Sequence, residues 1–171
     1  MEFNAAVQTI LKNTPMHEAN PEHDIVVVTD AATETNLGAG VVVTRNGHIL
    51  VHTFRITKYN SINDMEAQAL YQTLRHFEEK LSHHRINYFG DNTSVLFTLK
   101  SGVSKSFDLN LWTGRILSRL HIMGSTLASL YYVPSNFIPA DAPSRNMPFT
   151  EEHLSVLTSL SNCLQQSVGV E

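Results

Sequence analysis

The chain has 171 residues, 42% hydrophobic and 16% charged, a composition that suits one globular domain and excludes a disordered or collagen-like polymer. Sixteen Asp and Glu against twelve Lys and Arg give a formal charge of −4, which on its own argues against a protein that grips nucleic acid through a basic surface. No apolar run reaches the roughly 18 residues of a membrane span, the N-terminus has no signal-type apolar block, and the lone Cys163 excludes an internal disulfide, so a soluble intracellular protein, cytoplasmic or nuclear, is expected.

Residues 1–23 read as a short amphipathic helix with Phe3, Val7, Ile10 and Leu11 at helical spacing, then a polar connector with Pro15 and Pro21, a linker or domain edge. The domain proper is expected over 24–167, with a tail at 168–171. Asp24 to Asp30 is apolar and β-branched enough for a central strand covered on both faces, ending at Asp30. A turn-like segment leads to a second strand over Val41–Thr44. Asn46-Gly47 then signals a hairpin into a third strand, Ile49–Ile56.

From Asn63 to Leu81 the period becomes helical, with Leu70, Leu74, Phe77 and Leu81 on one face and Arg75, Glu78, Glu79 and Lys80 solvated. Glu66 stands four residues before Leu70, on the inner stripe, where an unpaired carboxylate is expensive. Arg85 to Asp91 is another short strand ending in an aspartate. Two helices follow, broken at Ser101-Gly102, the second carrying Leu109, Trp112, Ile116, Leu120 and Met123. Thr126–Val133 is a strand, Pro134–Pro143 a loop containing Asp141, and the last helix follows Thr150 with Leu154, Leu157, Leu160 and Leu164 on its inner stripe.

This order predicts an α/β fold with a mixed five-stranded sheet: an antiparallel three-stranded meander, two parallel strands, and helices on both faces. A right-handed crossover sets the Asp91 strand beside the Asp30 strand, with both aspartates at one sheet edge. Taken singly, Asp30, Asp91 and Asp141 read more readily as turn or helix caps than as ligands, and Glu66 as a capping-box or surface acid. Together, four converging acids repel unless divalent cations neutralise them, and hard oxygen donors suit Mg²⁺ or Mn²⁺. A pair of such ions about 3.5–4 Å apart is the arrangement that serves phosphodiester hydrolysis.

Four segments carry a resemblance to a known family: Thr29-Asp30-Ala31-Ala32 with Gly38-Ala39-Gly40, Asn63-Asp64-Met65-Glu66-Ala67, Gly90-Asp91-Asn92-Thr93, and Val133 to Arg145 with its N-x-x-P-A-D-x-P-S-R pattern. Across about residues 24–165 the chain resembles ribonuclease H, in particular the RNase H domains of reverse-transcribing elements, retrotransposon or hepadnavirus-like. The resemblance implies endonucleolytic hydrolysis of the RNA strand of an RNA/DNA hybrid by two Mg²⁺ ions, for which Mn²⁺ can substitute, with a reverse transcriptase domain in the same polyprotein. It implies that Asp30 bridges both ions. Asp141 helps hold the one that activates water, and Glu66 with Asp91 the one that stabilises the leaving 3′-oxygen. Asn63 matches a position that touches 2′-hydroxyls, and Asn92 and Thr93 beside Asp91, with Arg145, are further substrate-binding candidates. As a plain structural residue, Asn63 is equally a good helix N-cap.

Two departures matter. The loop Pro134-Ser135-Asn136-Phe137 lacks the histidine many family members carry there, so no catalytic histidine is assigned. In place of a basic protrusion the chain has only Lys100, Lys105, Arg115 and Arg119. The alternative of a different class is a domesticated, non-catalytic RNase H-like module that binds nucleic acid or protein in a larger assembly. A proofreading-type exonuclease would want Asp-x-Glu where position 32 is alanine, and a Holliday-junction resolvase would have a different fourth motif. The nine histidines are expected at the surface, Trp112 in the core and Cys163 as an apolar filler. Gly38-Ala39-Gly40 precedes a strand and is no phosphate cradle. Setting aside the four candidate ligands leaves 12 acids against 12 bases, a balanced surface that predicts weak hybrid binding.

Overall fold

The computed structural model describes residues 24–169, with side chains through 165; the helix expected over 1–23 lies outside the described residues. Five strands form one sheet in the order β3-β2-β1-β4-β5: β1 Asp24–Ala32, β2 Leu37–Val43, β3 Ile49–Arg55, β4 Arg85–Gly90 and β5 Thr126–Tyr132. β1 pairs antiparallel with β2 and parallel with β4, and β4 pairs parallel with β5, so the meander and the crossover stand as the sequence predicts. All nine residues of β1 are buried, as a run of Val and Ile without polar alternation requires of a strand covered on both faces. β3 alternates exposed and half-buried residues and forms an edge.

Two strand boundaries differ from expectation. β1 runs two residues beyond Asp30, and β2 begins at Leu37, so Gly38-Ala39-Gly40 lies inside the ladder with Asp30 opposite Ala39. The glycines are there for contact: a side chain at Gly40 would collide with Thr73 on the covering helix, and one at Gly38 would press into the Phe54 ring. The turn between the strands is closed by Asn36 in the left-handed region, φ 56°.

The helices are α1 Ile62–His76, α2 Glu78–Leu81, α3 Thr93–Ser101, α4 Phe107–Met123, α5 Asp141–Ser144 and α6 Glu151–Gly169, with a 3₁₀ turn at Ser135–Phe137. The helix expected over 63–81 is two pieces, broken at Phe77 (φ −99°, ψ 25°). Its N-cap is Ser61, whose Oγ accepts from the Asp64 N–H at 3.2 Å, so Asn63 sits inside the first turn and not at the cap. Gly102 ends α3 at φ 83° and Gly124 ends α4 at φ 68°, which confirms the break at Ser101-Gly102.

One face of the sheet packs Val27, Val42 and Ile86 under Leu70 and Leu74 of α1 and Ile116 and Leu120 of α4. The other packs Val26, Val28, Val41 and Phe89 under Leu157, Leu160 and Leu164 of α6. Each fully buried leucine contributes about 1.5–3 kcal/mol. The stripe of α6 is Val156, Leu157, Leu160 and Leu164; Leu154 is 46% exposed, because it stands three residues before the inner Leu157 on the flank of the stripe. Trp112 is half-buried against Tyr71 with Arg115 over its ring, so it borders the core instead of filling it. The histidines are not all superficial: His153 is buried in the first turn of α6, and His52 stacks on His76 with ring centroids 3.5 Å apart. No helix among the described residues is long and apolar enough to cross a membrane.

Candidate active site

Register explains the meeting of the first two acids. Val28 of β1 is paired with Phe89 of β4, and Asp30 and Asp91 each lie two residues further along these parallel neighbours. Glu66 comes from the second turn of α1, which Leu70 and Leu74 hold against the sheet. One carboxylate oxygen from each of Asp30, Glu66 and Asp91 lies within 4.8 Å of the others. Asp30 and Glu66 are buried and Asp91 is half-buried.

Asp141 opens α5, beside this trio. It stands outside the 4.8 Å group, yet its charge acts on both Asp30 and Asp91. Its Oδ1 accepts from Arg145 Nε at 2.9 Å, and Arg145 Nη1 reaches Glu34 Oε1 at 3.5 Å. Arg145 thus faces the fourth acid and the β1–β2 turn.

Hydrogen bonds complete the trio. The Ala31 N–H donates to Glu66 Oε1 at 3.3 Å, and the Ser144 hydroxyl donates to Asp30 Oδ2 at 3.3 Å. The Ser135 hydroxyl donates to Asp91, which draws that carboxyl's pKa down. Beneath them Thr29 and Tyr88 share a buried hydroxyl contact of 2.6 Å.

Burial, and then the Asp91 charge, pushes Asp30 up to about 8. Burial, and then the charges of Asp30 and Asp91, pushes Glu66 up to about 10. The bond between the two lowers Asp30 and raises Glu66, so the cluster holds on to protons that isolated carboxyls would release. Asp91 is raised as well, chiefly by burial. Among the described residues Arg145 is the cation bonded to the quartet, and it holds Asp141 alone. Hard oxygen donors on a buried cluster that protonates for want of positive charge fit a divalent cation of the Mg²⁺ or Mn²⁺ type.

The remaining candidates fall at the rim. Asn92 Oδ1 caps α3 by accepting from the Val95 N–H at 2.9 Å, and its Nδ2 donates to Asn63 Oδ1 at 2.8 Å. The two amides therefore form one unit beside Asp91, in which Asn63 Oδ1 is the acceptor and Asn63 is half-buried. Thr93 opens α3 at the surface. Sequence reasoning missed Ser135, Ser144, Thr29 and Tyr88. Ser135 and Ser144 lie within the fourth motif, but hydroxyls in a turn carry no sequence signal until the register of β1 and β4 is known.

No family model matches the chain, and no curated protein does. Among solved structures, RNase H1 from Halobacterium salinarum superposes with a TM-score of 0.55 at 21% identity, over 65% of this chain and 86% of that one. The N-terminal RNase H domain of a Mycobacterium tuberculosis protein gives 0.50 at 16%, over 65% and 87%. LC11-RNase H1, isolated from compost, gives 0.50 at 17%, over 72% and 91%. The chain has the ribonuclease H fold.

Proposed function

We propose that this chain is an RNase H-type endonuclease that hydrolyses the RNA strand of an RNA/DNA hybrid, and that it serves as the RNase H domain of a retroelement polymerase beside a reverse transcriptase. The observation that carries the reading is the trio Asp30, Glu66 and Asp91, gathered within 4.8 Å on elements distant in sequence and bonded to no cation among the described residues. Solved neighbours of the same fold bear the name RNase H1.

Asp30, Glu66, Asp91 and Asp141 would hold Mg²⁺ or Mn²⁺. Such ions, when bound, supply an activated water and charge neutralisation at the phosphodiester. The chain's own part is positional. Ala31 and Ser144 aim the buried carboxylates, Ser135 aims Asp91, and Arg145 balances Asp141. Asn63 Nδ2 presents a donor to a 2′-hydroxyl in the wide minor groove, with the Asn92 bond fixing its orientation.

The deciding experiment is cleavage of an end-labelled hybrid in Mg²⁺ or Mn²⁺ by wild type and Asp91→Asn. Metal-dependent RNA cleavage that falls at least about a hundredfold in the variant supports the reading. Wild type that cuts nothing, or a variant that cuts equally well, overturns it.

A further inference from the structure

Asp30 sits on the central strand, whereas Asp141 sits on a helix of four residues, and something must fix one relative to the other. We propose that Ser144 is the positioning residue that does so, an inference that rests on reading these acids as ligands of the catalytic ions.

Ser144 is fully buried, and its side chain and backbone tie three elements together. Its hydroxyl proton has two acceptors, Asp30 Oδ2 at 3.3 Å and the Asp141 carbonyl at 2.8 Å. Its own carbonyl accepts from Thr35 Oγ1 at 2.5 Å, so the β1–β2 turn is fastened to α5 at the same residue. Thr35 is oriented in turn by the Leu37 N–H, which donates to its Oγ1 at 3.3 Å, and by the left-handed Asn36 that closes the turn.

Packing does not require a hydroxyl at this position. Alanine would fill the same space, and a buried hydroxyl is unfavourable unless it is hydrogen-bonded. Every polar atom of Ser144 named above is spent on the pair of acids or on the turn beside them. A group that orients a ligand without touching the metal typically accounts for ten- to a hundredfold in metal affinity. Ser144 therefore sets which Asp30 lone pair faces the trio and how far α5 carries Asp141 from it.

The test is calorimetric titration of the whole chain with Mn²⁺, alongside hybrid cleavage as a function of Mg²⁺. Ser144→Ala is expected to bind Mn²⁺ about tenfold more weakly and to need correspondingly more Mg²⁺ for half-maximal cleavage, with an unchanged KM for hybrid. Ser144→Cys, close in size and a weak donor, is expected to fall between the two, and it decides the matter should Ser144→Ala fail to fold. Mn²⁺ affinity within about twofold of wild type in both variants overturns the inference while leaving the nuclease reading intact. A wild type that binds Mn²⁺ but cuts no hybrid overturns the nuclease reading and leaves Ser144 to be judged on affinity. A wild type that binds no Mn²⁺ overturns both.

Discussion

Replacing Glu66 by Gln should make the metal-free protein more stable while removing its proposed activity. Gln mimics a protonated Glu: Oε1 still accepts from the Ala31 N–H, and Nε2 offers Asp30 a donor that does not titrate. In wild type the folded protein holds that proton up to about pH 10, whereas the unfolded chain releases it near 4.5. The folded state thus binds more protons across this window. Metal-free stability is greatest below the lower value and falls as pH rises toward the upper one. At pH 7 the 2.5 units above 4.5, at 1.36 kcal/mol each, amount to roughly 3 kcal/mol of lost stability. Glutamine carries no such titration. Glu66→Gln should then melt about 6–12 °C higher than wild type at pH 7 in a chelator, the gap narrowing toward pH 4.5. Saturating Mg²⁺ should raise the wild-type melting temperature more than the variant's. Differential scanning calorimetry from pH 5 to 9 checks this. A variant that melts at or below wild type at pH 7, or a wild type that gains stability with pH over that range, would refute the account of the cluster.

Gly40→Ala should cost about 1–3 kcal/mol in chemical denaturation, since the added methyl meets Thr73 in a fully buried contact and pushes the helix bearing Glu66 off the sheet. The 171-residue chain should also bind an RNA/DNA hybrid only weakly, in about the micromolar range or above at physiological salt, because its 12 basic residues are matched by 12 acids outside the quartet. Fluorescence anisotropy measures this, and nanomolar affinity for the free chain would contradict it. Fusion to a polymerase that holds the same hybrid should tighten it through effective concentration.

The central architecture was legible because its signals are local and strong. The run Ile25 to Val28 can only be a doubly covered strand, and the chain between β1 and β4 carries a helix-period stripe, so parallel pairing and the meeting of Asp30 with Asp91 follow from handedness. The boundaries of β2 were not legible. Gly38-Ala39-Gly40 has turn-like composition, and only contact with Phe54 and Thr73, on other elements, shows why small residues stand within a ladder. Leu154 failed for a related reason: spacing defines a helical stripe but not which flank the sheet covers. At the site, carboxylates announce themselves by their cost of burial. The hydroxyls of Ser135 and Ser144 do not, since serine in a loop is ordinary until a carboxylate is found against it. His153 shows the same limit, for its burial comes from a reciprocal cap in which it donates its N–H to Thr150 Oγ1 and its Nδ1 accepts from the Thr150 N–H.

The sheet order has a consequence for how the site opens. β1 has a neighbour on either side and lies buried along its whole length, so Asp30 is released only by global unfolding. α5 is a single turn, fastened to β1 by the Ser144 hydroxyl and to the β1–β2 turn by the Thr35 and Glu34 contacts. Detaching the fourth acid breaks these contacts and uncovers Ala142, Pro143 and Ser144, while the pairing of β1 with β2 and β4 stays closed. One wall of the site belongs to the doubly flanked central strand and the facing wall to a single helical turn tied to it through side chains. Under the proposed function, exchange of ions and departure of cleaved ends would need only that wall to move, while the sheet stays shut.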